Sequence, residues 1–223
     1  MVLMETNGNK SVRYTQYANG NWKQVQADVI IERPVTLTVN GDVWLTFRCT
    51  PVDLEALAIG FLFNEGVINA IEEVASVRIC SSGDNLDVWL HHAAEKPPSW
   101  ERTSGCSGGM TGLGPNQVER PTLNGQTVRP EQISQLIVDL FDRQDLYRLT
   151  GGVHTSALSD GTRLHVIAED IGRHNTLDKI AGRCLMEGVR LPQRILLTTG
   201  RVSSEMLQKS ARLRLSLIHI SEP

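Results

Sequence analysis

The sequence predicts an α/β protein: a layered sheet covered by helices, preceded by a smaller β-rich portion with one buried helix. Two observations predict it. From Pro130 to Ala211, segments of helical period alternate with short apolar runs of strand length. From Val35 to Leu90, alternation with a period of two is broken by tight-turn signatures. The bulk composition agrees: 223 residues, 40% hydrophobic and 21% charged, are enough to bury a core.

In the first half, Val35-Thr36-Leu37-Thr38-Val39 alternates, Asn40-Gly41 is a two-residue hairpin turn, and Val43-Trp44-Leu45-Thr46-Phe47 returns. Thr50-Pro51-Val52-Asp53 predicts a helix start, with a capping hydroxyl, proline at the first helical position and a carboxylate in the first turn. Leu54, Leu57, Ala58, Phe61 and Leu62 follow at helical spacing, and Gly66 ends the helix. A second hairpin is expected to join Val74–Cys80 to Leu86–Leu90 through Ser81-Ser82-Gly83-Asp84.

The pattern is lost from Ala93 to Gly125, which holds Pro97, Pro98, Pro115 and Pro121. It returns with Pro130 to Arg143, an amphipathic helix whose apolar face is Ile133, Leu136, Ile137, Leu140 and Phe141. Val153–Leu158 and Leu164–Ala168 read as strands around the turn Ser159-Asp160-Gly161. Leu177 to Met186 reads as a helix ended by Gly188, Arg194–Thr199 as an apolar strand, and Ser203 as the start of another helix. The expected divisions are a β-rich portion (1–92), a mobile loop (93–125), an α/β portion (126–213) and a tail (214–223). The tail, from Leu215 to Pro223, is expected to be non-native and to supply no further strand, leaving the α/β portion cut short.

Net charge of −3 gives no electrostatic reason to expect nucleic acid or an acidic membrane surface as partner. No apolar run approaches the roughly 20 residues that span a bilayer. The polar stretch from Met1 to Lys10 lacks the apolar segment of a secretory signal, so a cytoplasmic setting is expected.

Four cysteines lie far apart, with no paired spacing. Cys49, Cys80 and Cys184 fall in apolar patterns and are expected to be inert core residues. Cys106 differs. It sits in Thr103-Ser104-Gly105-Cys106-Ser107-Gly108-Gly109-Met110, where three glycines in five residues predict a backbone able to bring the thiol close to another molecule. Covalent carriage of a group is the chemistry this suggests. A cysteine hydrolase with His154 or His174 as base is an alternative, but it needs a rigidly held nucleophile.

Two strand-to-helix junctions carry the remaining chemistry. Glu169-Asp170-Ile171-Gly172-Arg173-His174-Asn175 places carboxylates, a glycine, a guanidinium and an imidazole at the carboxyl end of a strand, where open α/β sheets bind ligands. Thr198-Thr199-Gly200-Arg201-Val202-Ser203-Ser204-Glu205 repeats the design. Two consecutive junctions with arginine and free backbone N–H groups suggest one site for a phosphorylated ligand. A capped helix with a surface ion pair is the competing interpretation of the first. His154, in Thr150-Gly151-Gly152-Val153-His154-Thr155, either packs as a neutral strand residue or faces the same crevice.

A Walker-type loop is missing, which argues against ordinary nucleotide hydrolysis. The Gly105–Gly109 loop does not join a strand to a helix as a dinucleotide fingerprint does. A zinc deaminase or structural zinc site needs cysteine pairs that the sequence lacks.

Four stretches together resemble the FdhD family, the formate dehydrogenase accessory sulfurtransferases: Leu57–Ile68, the Cys106 loop, Glu169–Lys179 and Gly200–Ala211. The resemblance implies a cytoplasmic homodimer with a fold related to the cytidine deaminases, without their zinc. It implies a sulfurtransferase that accepts sulfur from a cysteine desulfurase as a persulfide on Cys106. That sulfur passes to the bis-molybdopterin guanine dinucleotide form of the molybdenum cofactor, its substrate, which the formate dehydrogenase catalytic subunit needs. Asp170, Gly172, Arg173, His174, Gly200, Arg201, Ser203 and His154 are then expected to bind that cofactor, and Arg102 to favour the Cys106 thiolate. A chaperone that holds the cofactor without carrying sulfur is the alternative function. The sequence departs from the family pattern in two places: Gly109 stands where many members have a second cysteine, and the segment after Ala211 lacks the family's glycine-rich end.

Overall fold

The computed structural model describes residues 8–97, 101–102, 110–111, 127–191 and 193–220. Its first element is an antiparallel ribbon, β1 (Asn9–Ala18) and β2 (Asn21–Ile30), turned by Asn19-Gly20 with φ of 53° and 77°. Positive φ at both central residues is the mirror-type hairpin turn that Asn-Gly favours. This ribbon is not among the expected elements.

The hairpin β3 (Arg33–Val39) and β4 (Asp42–Cys49) forms as the sequence predicts, with Asn40 and Gly41 at φ 50° and 89°. With β5 (Val74–Ile79) and β6 (Asn85–Leu90) it makes a sheet of order β4-β3-β6-β5, β3 and β6 running parallel. Val35, Leu37 and Val39 point to one face, which α1 (Leu54–Asn64) covers. Gly66, at φ 74°, follows the helix end as expected.

The start of α1 differs from expectation. The helix begins at Leu54, after Asp53 in a left-handed conformation at φ 51°, and no side chain caps it. Thr50 lies upstream of the cap position, and its polar atoms are committed elsewhere in the fold.

A short pair, β7 (Glu101–Arg102) and β8 (Met110–Thr111), follows. The α2 helix (Pro130–Asp142) forms with Pro130 in its first turn and leads to α3 (Asp145–Thr150), a helix the sequence pattern did not suggest. The second sheet has order β10-β9-β11-β12, from β9 (His154–Ser159), β10 (Leu164–Asp170), β11 (Ile195–Thr198) and β12 (Leu217–Ile220). Strand β9 is antiparallel to both neighbours, and β11 and β12 are parallel. Two helices, α4 (Arg173–Met186) and α5 (Ser204–Arg212), pack on one face, while Leu136 and Leu140 of α2 pack on the other. Helix α4 starts at Arg173, four residues before the apolar stripe begins at Leu177, because its first turn is buried and polar.

Two further expectations are corrected. The tail was expected to supply no strand, yet Leu217–Ile220 pairs with β11. The physical reason is alternation across an open edge: Leu217 packs on the α2 side and Ile218 on the α4 side. Cys80 was expected in the core. It is only partly buried, at the β5–β6 turn, where Sγ donates to Asp84 Oδ1 (3.0 Å) and accepts from the Asn85 N–H (3.1 Å).

The two sheets face each other across α1 and α4, which cross in close contact. Phe63 of α1 and Leu185 of α4 each reach the core centred on the other helix. Glycine makes this approach possible. A Cβ on Gly60 would lie 1.7 Å from the Asp178 carbonyl oxygen, and one on Gly182 would lie 1.9 Å from that of Ala56. Among the described residues, no helix is long and apolar enough to cross a membrane.

Candidate functional site

Antiparallel pairing brings three strand ends together. His154, at the start of β9, is the register partner of Asp170, at the end of β10, and Thr198, at the end of β11, pairs with Ser156. Helices α4 and α5 both begin at this edge, capped by Gly172 and Ser203. Ser203 Oγ accepts a hydrogen bond from the Met206 N–H at 3.4 Å. At each helix start the first N–H groups have no carbonyl within the helix to bond.

The two junctions touch. A Cβ on Gly200 would stand 2.8 Å from Arg173 Cβ, so the glycine lets the second junction lie against the arginine stem. Arg173 is buried and Arg201 is exposed. Both act on His154, which is half-buried: desolvation lowers its pKa most, and the two guanidinium charges lower it further. His174 is almost fully buried and bonds Ser203 Oγ through Nε2 at 3.0 Å. Burial, with Lys209 and Arg173 nearby, pushes its pKa down to about 3. Near neutral pH both imidazoles are therefore uncharged, and the positive character of the edge comes from the arginines.

Asp170 does not face the open edge. It is fully buried, and its carboxylate accepts from the Thr50 N–H (3.1 Å), the Gly172 N–H (2.7 Å) and Asn175 Nδ2 (2.9 Å), while pairing with Lys179 at 2.7 Å. An ion pair this deep needs every remaining lone pair satisfied, and these amides satisfy them. Asp170 therefore corrects the expectation of a cofactor contact, because it holds the loop that presents Arg173. The interpretation of this junction as a surface ion pair fails for the same reason.

Beneath the site, Ser156 Oγ lies 2.7 Å from Thr176 Oγ1 and donates to Thr198 Oγ1 (2.9 Å), which accepts from the Gly200 N–H (3.1 Å). This hydroxyl cluster ties β9, β11 and α4 together and fixes the amide that opens the second junction.

Several contributors were not singled out from sequence. Lys179 donates to the Thr50 and Glu169 carbonyls as well as pairing with Asp170. Lys209 of α5 pairs with Asp178 of α4, to which Asn64 of α1 also donates (2.8 Å). Glu205 sits beside Ser203. Burial works to raise its pKa, and the Ser203 hydroxyl and the helix-start amide outweigh that, leaving it lowered. A usable signal was present in α4: Asn175, Asp178 and Lys179 interrupt its apolar pattern where buried positions are due.

Cys106 lies outside the described residues, as does Gly109. The residues on either side of that segment are joined, Arg102 opposite Met110. Of the other thiols, burial pushes Cys49 up to about 12 and Cys184 up to about 11. Neither is a thiolate near neutral pH, so neither is nucleophilic.

Fold and site together define an α/β protein whose second sheet presents two arginine-bearing helix starts at one edge. Residues 30–221 match the family model described as the FdhD/NarQ family. The chain belongs to the FdhD/NarQ family. It is 34% identical over 210 residues to the sulfur carrier protein FdhD of Bacillus pumilus, covering 91% of this chain and 80% of that protein. It is 32% identical over 210 residues to the protein of the same name from Bacillus subtilis, with the same coverage. The structure is similar to that of a protein described as a formate dehydrogenase accessory protein from Desulfotalea psychrophila. The TM-score is 0.75 at 26% identity, covering 95% of this chain and 83% of that one.

Proposed function

We propose that this chain is a sulfur carrier serving formate dehydrogenase, with Cys106 as the residue that bears the sulfur. A cysteine desulfurase is the donor. The Cys106 thiolate attacks the outer sulfur of the donor's persulfide, an S–S bond forms on Cys106, and the donor's cysteine leaves as thiolate. The receiving substrate is the bis-molybdopterin guanine dinucleotide form of the molybdenum cofactor. Its phosphates are held at the two junctions by Arg173, Arg201 and the N–H groups at the starts of α4 and α5. Neutral His154 and His174 line that edge, with Ser203 bonded to the second.

One observation carries this proposal: two strand-to-helix junctions, each bearing an arginine, touch at the end of one sheet in a chain of this family. A cytidine-deaminase-like layering, a cytoplasmic setting and a homodimer belong to the same proposal, and sedimentation equilibrium tests the last.

The test is intact mass spectrometry after incubation with a cysteine desulfurase and cysteine. The expected result is a gain of one sulfur atom, lost on reduction and absent in Cys106→Ala. Sulfur on another residue, or on none in folded protein, refutes carriage. GDP binding in the absence of any sulfur uptake selects instead a chaperone that holds the cofactor.

A further inference from the structure

Thr50 belongs to the β-rich portion, directly after β4, yet all three of its hydrogen-bonding groups serve the junction between β10 and α4. Its Oγ1 accepts from the Ile171 N–H at 3.1 Å. Its N–H donates to Asp170 Oδ2 at 3.1 Å, and its carbonyl accepts from Lys179 Nζ at 3.1 Å. The residue is fully buried, so no water competes for these bonds. Two residues earlier, the Arg48 carbonyl accepts from Asn175 Nδ2 at 2.8 Å, and the same amide group donates to Asp170.

These bonds fix the backbone of the junction. The Ile171 N–H goes to Thr50 and the Gly172 N–H goes to Asp170 Oδ1, so two successive amides point inward. The next amide along, that of Arg173, is the first of helix α4. We propose that Thr50 is a positioning residue for the phosphate-receiving junction. Through its hydroxyl it fixes the backbone at Ile171, and hence the direction in which Arg173 and the first turn of α4 face. This rests on the phosphate-binding role given to that edge above. The β-rich portion is thereby part of the site through the backbone it holds in place.

The hydroxyl makes the separable contribution. Thr50→Val keeps the shape and removes the acceptor, Thr50→Ala removes acceptor and bulk, and Thr50→Ser keeps the acceptor. GDP is the probe, titrated calorimetrically into the full chain at a temperature where each variant is folded, and hydrogen exchange at the Ile171 amide is followed in parallel. With the hydroxyl gone, the expected loss of GDP affinity is about tenfold or more, the size of one buried polar group left unpaired. Ile171 exchange is expected to rise by a similar factor, and Thr50→Ser to stay within about threefold of the parent on both counts. If Thr50→Val does not fold, Thr50→Ala is expected to show the same two losses.

A residue that only stabilises the fold would lower the melting temperature and leave the affinity of the folded protein unchanged. That result overturns the proposal, as does unchanged exchange at Ile171 in the hydroxyl-free variants. If the parent chain binds no GDP while Ile171 still loses protection only in those variants, Thr50 stands as the residue that positions the junction. The phosphate-binding role then falls instead.

Discussion

Gly60→Ala adds one methyl group at the tightest point between the two sheets. Its carbon would lie 1.7 Å from the Asp178 carbonyl oxygen and 2.6 Å from the Gly182 nitrogen, both backbone atoms. Neither can rotate away, so α1 and α4 must part by roughly 1 Å or more, and close-packed interiors transmit such a shift instead of absorbing it. Alanine is the better helix former by about 1 kcal/mol. Overpacking costs about 1–3 kcal/mol and occasionally more. Here the displaced backbone also carries Asp178, whose side chain holds Lys209 of α5 and Asn64 of α1. With backbone atoms on both sides of the clash, the overpacking cost lies at or above the top of that range, so the net expectation is a loss of about 2 kcal/mol or more, lowering the melting temperature by roughly 4–8 °C or more. Urea unfolding followed by far-ultraviolet circular dichroism measures it, with the midpoint falling at constant slope. Gly188→Ala serves for comparison: its φ is 63° with no atom near the added carbon, so it carries backbone strain alone, about 1–2 kcal/mol. If Gly60→Ala unfolds within about 0.5 kcal/mol of the parent, the helices are not held as closely as described and the argument is wrong.

Other outcomes follow from the same geometry. Asp170→Ala strands Lys179 as a buried charge and is expected to cost about 3–5 kcal/mol, read from urea melts or from loss of folded protein on expression. Gly200→Ala forces its new carbon onto Arg173, so GDP affinity should fall by about tenfold with a smaller change in melting temperature, measured by calorimetry and thermal unfolding. His174 has a folded pKa near 3 against an ordinary 6.5, faced by Lys209, Arg173, Glu205 and His154. The unfolded chain therefore binds the extra proton first. Stability from this group is complete above about pH 6.5 and is lost as pH falls toward about 3. Proton NMR should show its ring signals constant from pH 8 to 5, and a midpoint near 6 would contradict the burial described. Alkylation of the native protein near neutral pH should spare Cys49 and Cys184 until the chain is unfolded, as peptide mass mapping would show.

Much of the fold is legible in the sequence because it depends on local rules. Asn40-Gly41 dictates its hairpin, the Ile133–Phe141 stripe dictates α2, and Gly66 and Gly188 end their helices. The same rule applies to Asn19-Gly20, which turns the first ribbon, but the strands beside it are exposed and lack a clean apolar alternation. Local reasoning misleads where a residue is claimed by distant chain. Thr50-Pro51-Val52-Asp53 has the composition of a helix cap, but the Thr50 hydroxyl bonds an amide 121 positions away. Asp170 has the composition of a surface ligand contact, yet buried amides and a lysine from three segments enclose it. Convergence of the two junctions was legible as repetition: strand end, glycine, arginine, hydroxyl. Their contact was not, since it depends on antiparallel β9 returning between β10 and β11.

The crossing of α1 and α4 also sets a timetable for synthesis. Asn64 and Asp178 bond across 114 positions, so α1 leaves the ribosome long before the surface that covers its outer side exists. At about 5–20 residues per second the wait is on the order of ten seconds, during which Phe61, Leu62 and Phe63 have only the first sheet for shelter. A nascent chain in that interval is a natural client for a holdase. Synonymous changes that slow decoding between the two helices would then reduce yield without altering a single side chain.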